Sequence, residues 1–252
     1  MSRILAILNQ KGGVGKTTTA VNLAAGLALA GQRTLLVDLD PQGNATTGLG
    51  IAKAGLRATV YEMLLGDCRW DEALVPTRVE GLDLLPATLD LAGAMVELAR
   101  LHNRELYLRN ALDGVGDRYH YIIIDTPPSL GLLPVNCLAA AEAALIPMQC
   151  EFYALEGLAQ LEHTMRLVKR SLNPALAVFG ILLTMVDSRA RLCRDVITAV
   201  RRQYGACVFS TVIPRTVRLS EAPGFGETIF TFDPRGKGAR AYHALTREVL
   251  AR

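Results

Sequence analysis

Apolar residues in this chain fall in short consecutive runs rather than in long alternating ones. The runs are Ile4–Leu8, Thr34–Val37, Leu82–Leu85, Tyr121–Ile124, Ala144–Pro147, Val178–Thr184 and Val208–Ile213. Several are apolar at successive positions, which is what a strand covered on both faces requires. Stretches with helical spacing lie between them, among them Lys16–Ala30, Leu155–Ser171 and Arg191–Tyr204. Strands alternating with helices predict an α/β fold: a doubly wound, mostly parallel sheet with helices on both faces. No repeat, low-complexity tract or long linker divides the chain, so residues 1–252 are expected to form a single domain. Two loop-rich stretches, Gly43–Gly55 and Ala222–Gly238, interrupt the alternation. Loops of that length in a compact domain commonly carry function, so both enter the candidate site.

Composition changes this picture only slightly. Half of the residues are apolar and 20% are charged, a balance that buries a large core and argues against disorder. The five cysteines, Cys68, Cys137, Cys150, Cys193 and Cys207, show no zinc or redox spacing and are read as reduced thiols. The histidines, His102, His120, His163 and His243, have no metal-ligand spacing either. The first apolar run is too short for a signal sequence or a membrane span, which predicts a cytoplasmic protein.

Charge is more informative when followed along the chain. The net +3 conceals 15 Lys/Arg against 18 Asp/Glu in residues 1–185, and 12 against 6 in residues 186–252. A positive field concentrated in the last quarter of the chain attracts an anionic partner, nucleic acid or membrane surface.

The chemistry begins where the first strand ends. Ile4–Leu8 runs into Asn9-Gln10-Lys11-Gly12-Gly13-Val14-Gly15-Lys16-Thr17-Thr18-Thr19 and then into a helix-compatible run. The usual P-loop pattern is a glycine, four residues, then Gly-Lys-Ser/Thr; here Gln10 stands at the leading position. Small residues still allow consecutive backbone N–H groups to turn onto phosphates at the positive end of the following helix. Lys16 would then reach the β- and γ-phosphates of a nucleotide, and the Thr17 hydroxyl would ligate Mg2+. The plainer alternative, a glycine-rich turn with two solvated lysines, does not account for the strand before the run and the helix after it.

Carboxylates follow two further strands. Asp38 and Asp40 close Leu35-Leu36-Val37-Asp38-Leu39-Asp40, and Asp125 closes Ile122-Ile123-Ile124-Asp125-Thr126-Pro127-Pro128. Ligand sites in open α/β sheets lie at the carboxyl ends of strands. Asp125 therefore reads as a Walker B acid that holds Mg2+ through water, with a simple turn cap as its bland alternative. The Asp38 and Asp40 side chains share a face if the strand continues and diverge if the chain turns at Pro41. Divergence is expected, with Asp40 orienting the attacking water and Asp38 in the metal's outer shell.

These motifs resemble the ParA/MinD family, and more narrowly its small chromosome-partitioning ParA branch, often called Soj. The family's deviant Walker A stands here as Lys11-Gly12-Gly13-Val14-Gly15-Lys16-Thr17-Thr18. Its other motifs are Val37-Asp38-Leu39-Asp40-Pro41-Gln42-Gly43-Asn44, Ile124-Asp125-Thr126-Pro127-Pro128 and the late Ile213-Pro214-Arg215-Thr216-Val217-Arg218-Leu219-Ser220-Glu221-Ala222-Pro223. The resemblance covers essentially the whole chain. It implies a sandwich homodimer closed over two ATP molecules, with Lys11 crossing to the partner's phosphates and Asp40 at the position needed for hydrolysis. It also implies that Met185, Pro214 and Arg215 lie near the adenine. Such proteins bind double-stranded DNA without sequence preference when ATP-bound, and a ParB-type centromere-binding partner stimulates hydrolysis and releases them. A low basal ATP hydrolase activity and association with the nucleoid follow. An N-terminal operator-reading module is not expected, because the first strand starts at Arg3.

The residues of Arg191–Tyr204 test the DNA expectation independently. At the helical pitch, Arg191, Arg194, Arg201 and Arg202 fall in an arc of about 100°, with Leu192, Val196, Ala199 and Val200 on the other side. Such a face would neutralise phosphates without reading bases. Arg189, Arg218, Lys237 and Arg240 could extend the patch, and Arg189 and Arg218 match family positions associated with DNA. An ordinary solvated helix face is the bland alternative. No aromatic residues interleave with the arginines, which disfavours single-strand stacking.

Three rival readings compete with this one. A MinD-like membrane ATPase needs a C-terminal amphipathic tail, whereas Tyr242, Leu245 and Val249 look like the core stripe of a terminal domain helix, so no stable membrane anchor is expected. An iron–sulfur electron-transfer ATPase would need bridging cysteines, but Cys137 and Cys150 read as buried structural thiols. A related ATPase that positions another cargo keeps the same site and differs only in its partner.

Overall fold

The computed structural model describes residues 2–129, 131–151 and 154–252. Eight strands form one sheet: β1 (Arg3–Ile7), β2 (Thr34–Asp38), β3 (Val75–Pro76), β4 (Leu82–Leu85), β5 (Tyr121–Asp125), β6 (Ala143–Gln149), β7 (Ala177–Val186) and β8 (Val208–Pro214). Their order is β3-β4-β2-β5-β1-β6-β7-β8. Every pairing is parallel except β3 against β4. The longer helices are α1 (Lys16–Leu29), α7 (Ala154–Ser171), α8 (Arg191–Tyr204) and α11 (Lys237–Ala251). Shorter ones are α2 (Asn44–Gly48), α3 (Val60–Leu65), α4 (Leu91–Leu98), α5 (Tyr107–Ala111), α6 (Leu132–Ala140), α9 (Arg218–Glu221) and α10 (Ile229–Phe232).

The strand alternation explains the double winding. On β1, Leu5 and Ile7 enter a core with α1 and α11, while Ala6 enters the core on the other face. On β5, Ile123 joins the first core and Ile122 and Ile124 the second. Both faces of the central strands are therefore covered, as their consecutive apolar residues require. Tyr242, Leu245 and Val249 of α11 are all at most 1% exposed, so the final helix packs into the domain.

Four expectations need correction. Gly43–Gly55 is not all loop, because Asn44–Gly48 forms α2, whose Thr46 is buried against Asp38. Ala222–Gly238 contains a 3-10 turn at Ala222–Phe225, α10 and the start of α11. On α8 the buried residues are Cys193, Val196 and Val200, whereas Leu192 is 50% exposed. The core stripe is rotated from the expected one because Cys193 serves as a small hydrophobe. Cys137 is buried as expected, whereas Cys150 is only half-buried.

Candidate phosphate site

β1 ends at Ile7, and the chain reaches α1 through a turn in which Gly13 (φ 73°) and Gly15 (φ 87°) are left-handed. Side chains strain this conformation, so glycine lets the loop close tightly onto the start of α1. Lys16, at that start, is only 6% exposed, and its Nζ donates to the Lys11 carbonyl at 3.1 Å. Burial lowers its pKa, while Asp125 and then Asp40 oppose the shift.

Two buried carboxylates end neighbouring strands of the sheet, and one of them, Asp125, faces this lysine. Asp38 and Asp125 are register partners at the carboxyl ends of β2 and β5, and both are fully buried. Their surroundings differ. Asp38 accepts from the Thr46 N–H at 2.8 Å, the Thr46 hydroxyl at 2.7 Å and the Asp40 N–H at 3.3 Å. Burial pushes its pKa up to about 6, against those hydrogen bonds. Asp125 has no hydrogen-bond partner on either oxygen among the described residues. Burial, followed by the neighbouring Asp38, raises its pKa well above the carboxylate range; the nearby Thr17 hydroxyl and Lys16 work the other way. A buried carboxylate with both oxygens bare has a desolvation cost that a cation or its bound water would offset. The donor set, one bare carboxylate and one hydroxyl, fits Mg2+ carried by phosphates rather than a cage of protein ligands.

The chain turns after Asp38. Asp40 accepts from the Gln42 N–H at 2.9 Å, and its carbonyl accepts from Gly43 at 2.8 Å. Asp38, the last residue of β2, and Asp40, two residues beyond it, thus have separate surroundings: Asp38 is tied to α2, while Asp40 sits in the turn facing Lys16. Lys11 is half exposed and ion-paired with Glu151, beyond the end of β6.

A cleft of about 390 Å3 adjoins the loop and brings together Gly15, Thr18, Met185, Pro214 and Arg215. Met185 carries a left-handed backbone, φ 50°, unusual for a side chain of its size. Gly12, Gly13, Val14, Thr17 and Thr18 complete the loop and first helical turn.

The basic residues do not form one patch. Arg191, Arg194, Arg201 and Arg202 are exposed on α8, which packs on the Val208 face of β8, while α11, carrying Lys237 and Arg240, packs on the Phe209 face. Alternation along β8 thus sends the two sets to opposite faces of the sheet. Arg194 braces the start of α8 by donating to the Ser188 and Arg189 carbonyls, and Arg201 donates to Ser210 at 3.3 Å. Arg218 pairs with Glu221 at 3.1 Å.

Sequence reasoning missed Thr46, Gln149, Glu151 and Thr184. For Gln149, Glu151 and Thr184 the only signal was a polar residue at or just past the end of an apolar run, a pattern that ordinary strand ends share; Thr46, inside the loop-rich stretch Gly43–Gly55, carried none.

A glycine-lined turn between strand and helix, a buried lysine and a bare aspartate on the adjacent strand define a P-loop nucleotide-binding protein. A family model described as "AAA domain" matches residues 2–178. The chain is 56% identical over 252 residues to the chromosome partitioning protein ParA of Myxococcus xanthus, covering 100% of this chain and 89% of that one. It is 54% identical over 251 residues to the sporulation initiation inhibitor protein Soj of Bacillus subtilis, covering 100% and 99%. The chain belongs to the ParA/Soj branch of the ParA/MinD ATPase family. Among solved structures, one named cobyrinic acid a,c-diamide synthase from Mycobacterium smegmatis, with bound ATP analog and magnesium, superposes with a TM-score of 0.87 at 42% identity, covering 99% of this chain and 95% of that one.

Proposed function

We propose that this chain is a chromosome-partitioning ATPase in which ATP with Mg2+ joins two copies into a homodimer. The dimer holds double-stranded DNA without sequence preference, and a ParB-type partner triggers hydrolysis and release. The protein then works in the cytoplasm, on the nucleoid. The observation that carries this reading is the bare, buried Asp125 beside Lys16 and Thr17, in a chain more than half identical to proteins named ParA and Soj.

Each residue has a role the geometry can support. Magnesium, when bound, neutralises charge on the β- and γ-phosphates. Thr17 and Asp125 would hold it, with Asp38 behind them in the outer shell. Lys16 places a buried cation on the same phosphates, and loop N–H groups from Gly12 to Thr18 supply the rest. Lys11 is half exposed and its pair with Glu151 is exposed, so it can exchange that pair for the partner's nucleotide. Asp40 orients the attacking water, and Met185, Pro214 and Arg215 seat the base. On α8, Arg191, Arg194, Arg201 and Arg202, with Arg189 before it and Arg218 nearby in function, take DNA phosphates. Lys237 and Arg240 serve a second contact on the opposite face of the sheet.

The membrane alternative has less support, since no helix among the described residues is long and apolar enough to cross a bilayer and the α11 stripe is buried. The synthase name of the Mycobacterium smegmatis structure describes different chemistry; the nucleotide and metal in its name are common to both readings.

The test is DNA retention with ATP, with ADP, and with Asp40→Ala plus ATP, each at two salt concentrations. Retention should require ATP, weaken with salt and last longer in Asp40→Ala, where ATP survives. Equal retention with ADP, or no added persistence in Asp40→Ala, would overturn the assignment.

A further inference from the structure

The β1–β6 ladder stops at Ile7 and Leu145, yet the two segments remain joined beyond it. Leu8 N–H donates to Leu145 at 3.1 Å, and Asn9 Nδ2 donates to the Pro147 carbonyl at 2.7 Å. Two residues further on the direction reverses: Gln149 Nε2 donates to the Gly13 carbonyl at 2.8 Å. The register partner of Gln149 on β7 is Thr184. Thr184, only 2% exposed, donates its hydroxyl to the next carbonyl of the loop, Val14, at 2.8 Å. Two side chains at the same level on adjacent strands thus grip two consecutive peptide carbonyls of the phosphate loop.

A peptide plane has its C=O and N–H on opposite sides. Drawing the Gly13 and Val14 carbonyls toward β6 and β7 therefore turns the N–H groups of Val14 and Gly15 the other way, toward the phosphate side. We propose that Gln149 and Thr184 are positioning residues that preorganise the loop for phosphate through those two carbonyls. The same pair reaches the base cleft, because Gln149 Nε2 also contacts Met185 Sδ at 2.8 Å and Met185 follows Thr184 directly. Phosphate loop and base seat are thereby tied to one point of the sheet. Preorganised donors bind an anion without being reordered at the moment of binding.

This inference rests on nucleotide binding at the loop, and wild-type binding of MgATP is the control that separates the two. The probes are MgATP and magnesium tripolyphosphate, which has no base, titrated into wild type, Gln149→Met, Thr184→Val and Met185→Ala. The first two variants keep shape and remove the donor. Each should weaken both probes by the same factor, about five- to tenfold. Met185→Ala should weaken MgATP alone. The melting temperature of each nucleotide-free variant is read alongside, because a purely structural role would lower it and leave both affinities intact. Unchanged tripolyphosphate affinity in Gln149→Met and Thr184→Val, with MgATP bound normally by wild type, would overturn the proposal. So would a loss confined to MgATP, which would mean action through the base seat alone.

Discussion

The phosphate site and the α8 arginine face both concentrate charge, yet they treat it in opposite ways. At the phosphate site Lys16, Asp38 and Asp125 are removed from water, their pKa values are displaced by burial, and protein donors hold the surrounding backbone. On α8 the arginines stand in solvent, and their contacts are local: backbone carbonyls at Ser188, Arg189 and Ser210, and Asp195 on the same helix. Buried charge is costly, so each group must have a designated counterpart. Exposed charge costs little and waits for an extended anion. The first region should thus fail sharply when one residue changes, and the second by increments.

The largest expected effect is at Lys16. Lys16→Ala removes the cation that faces two buried acids and the phosphates. ATP turnover should fall by about a hundredfold or more, in line with losing a preorganised charge at a transition state. Steady-state phosphate release measures it, and a loss below about fivefold would place the chemistry elsewhere.

Next is the arginine face. Among the described residues no hydrogen bond or ion pair engages the Arg202 side chain, which is exposed on α8, so its charge is free to meet phosphate. Arg202→Ala should weaken retention on every DNA sequence alike and reduce the slope of log affinity against log salt by about one. Fluorescence anisotropy on two unrelated duplexes over a salt series provides both readings. Sequence-dependent loss would contradict a backbone contact.

These two regions were not equally legible in the sequence. The phosphate loop was readable because the spacing of Gly13, Gly15, Lys16 and Thr17 is fixed by backbone geometry within a single turn. Asp38 and Asp125 were readable because they end apolar runs, and sheet sites lie at strand ends. The difference between them was not: only the fold brings Thr46 to Asp38 and leaves Asp125 bare. Gln149 and Thr184 escaped notice for the same reason, being more than 130 residues from the carbonyls they hold. On α8 the arginines of the arc are exposed as the periodicity requires, but Lys237 and Arg240, offered as an extension of the patch, stand on α11. The pleat of β8 sends them to the other face.

A smaller effect separates charge consumed by the fold from charge left for a partner. Glu248 on α11 accepts the Ser210 and Thr211 N–H groups of edge strand β8 at 2.8 and 2.9 Å. Its pKa is lowered: burial alone would raise it, but those backbone bonds and Arg252 prevail. A carboxyl whose folded pKa lies below its unfolded one stabilises the native state above the unfolded value, and loses that contribution as pH falls through the folded one. Glu248→Gln should therefore cost about 1 kcal/mol at pH 7. Urea melts at pH 7 and below pH 4 should show the gap closing in acid, and a constant gap would mean that packing, not charge, was lost.

The smallest effect is the most discriminating for α8. Asp195 lies just beyond Arg202 around the helix, at the edge of the arginine arc, and its ion pair with Arg191 spans 3.8 Å with the two side chains 89% and 68% exposed. So exposed a pair contributes little to stability, at most a few tenths of a kcal/mol, about the size of an i,i+4 helix pair. Its larger consequence is electrostatic, because it places a negative charge at the edge of the arginine arc. Asp195→Asn should leave the melting temperature unchanged within about a degree and raise DNA affinity about twofold, more at low salt than at high. An ordinary solvated face would respond to neither change. If the affinity falls instead, Asp195 is ordering Arg191 for its contact, and the α8 surface is a preorganised site like the phosphate loop rather than the loose cationic face it resembles.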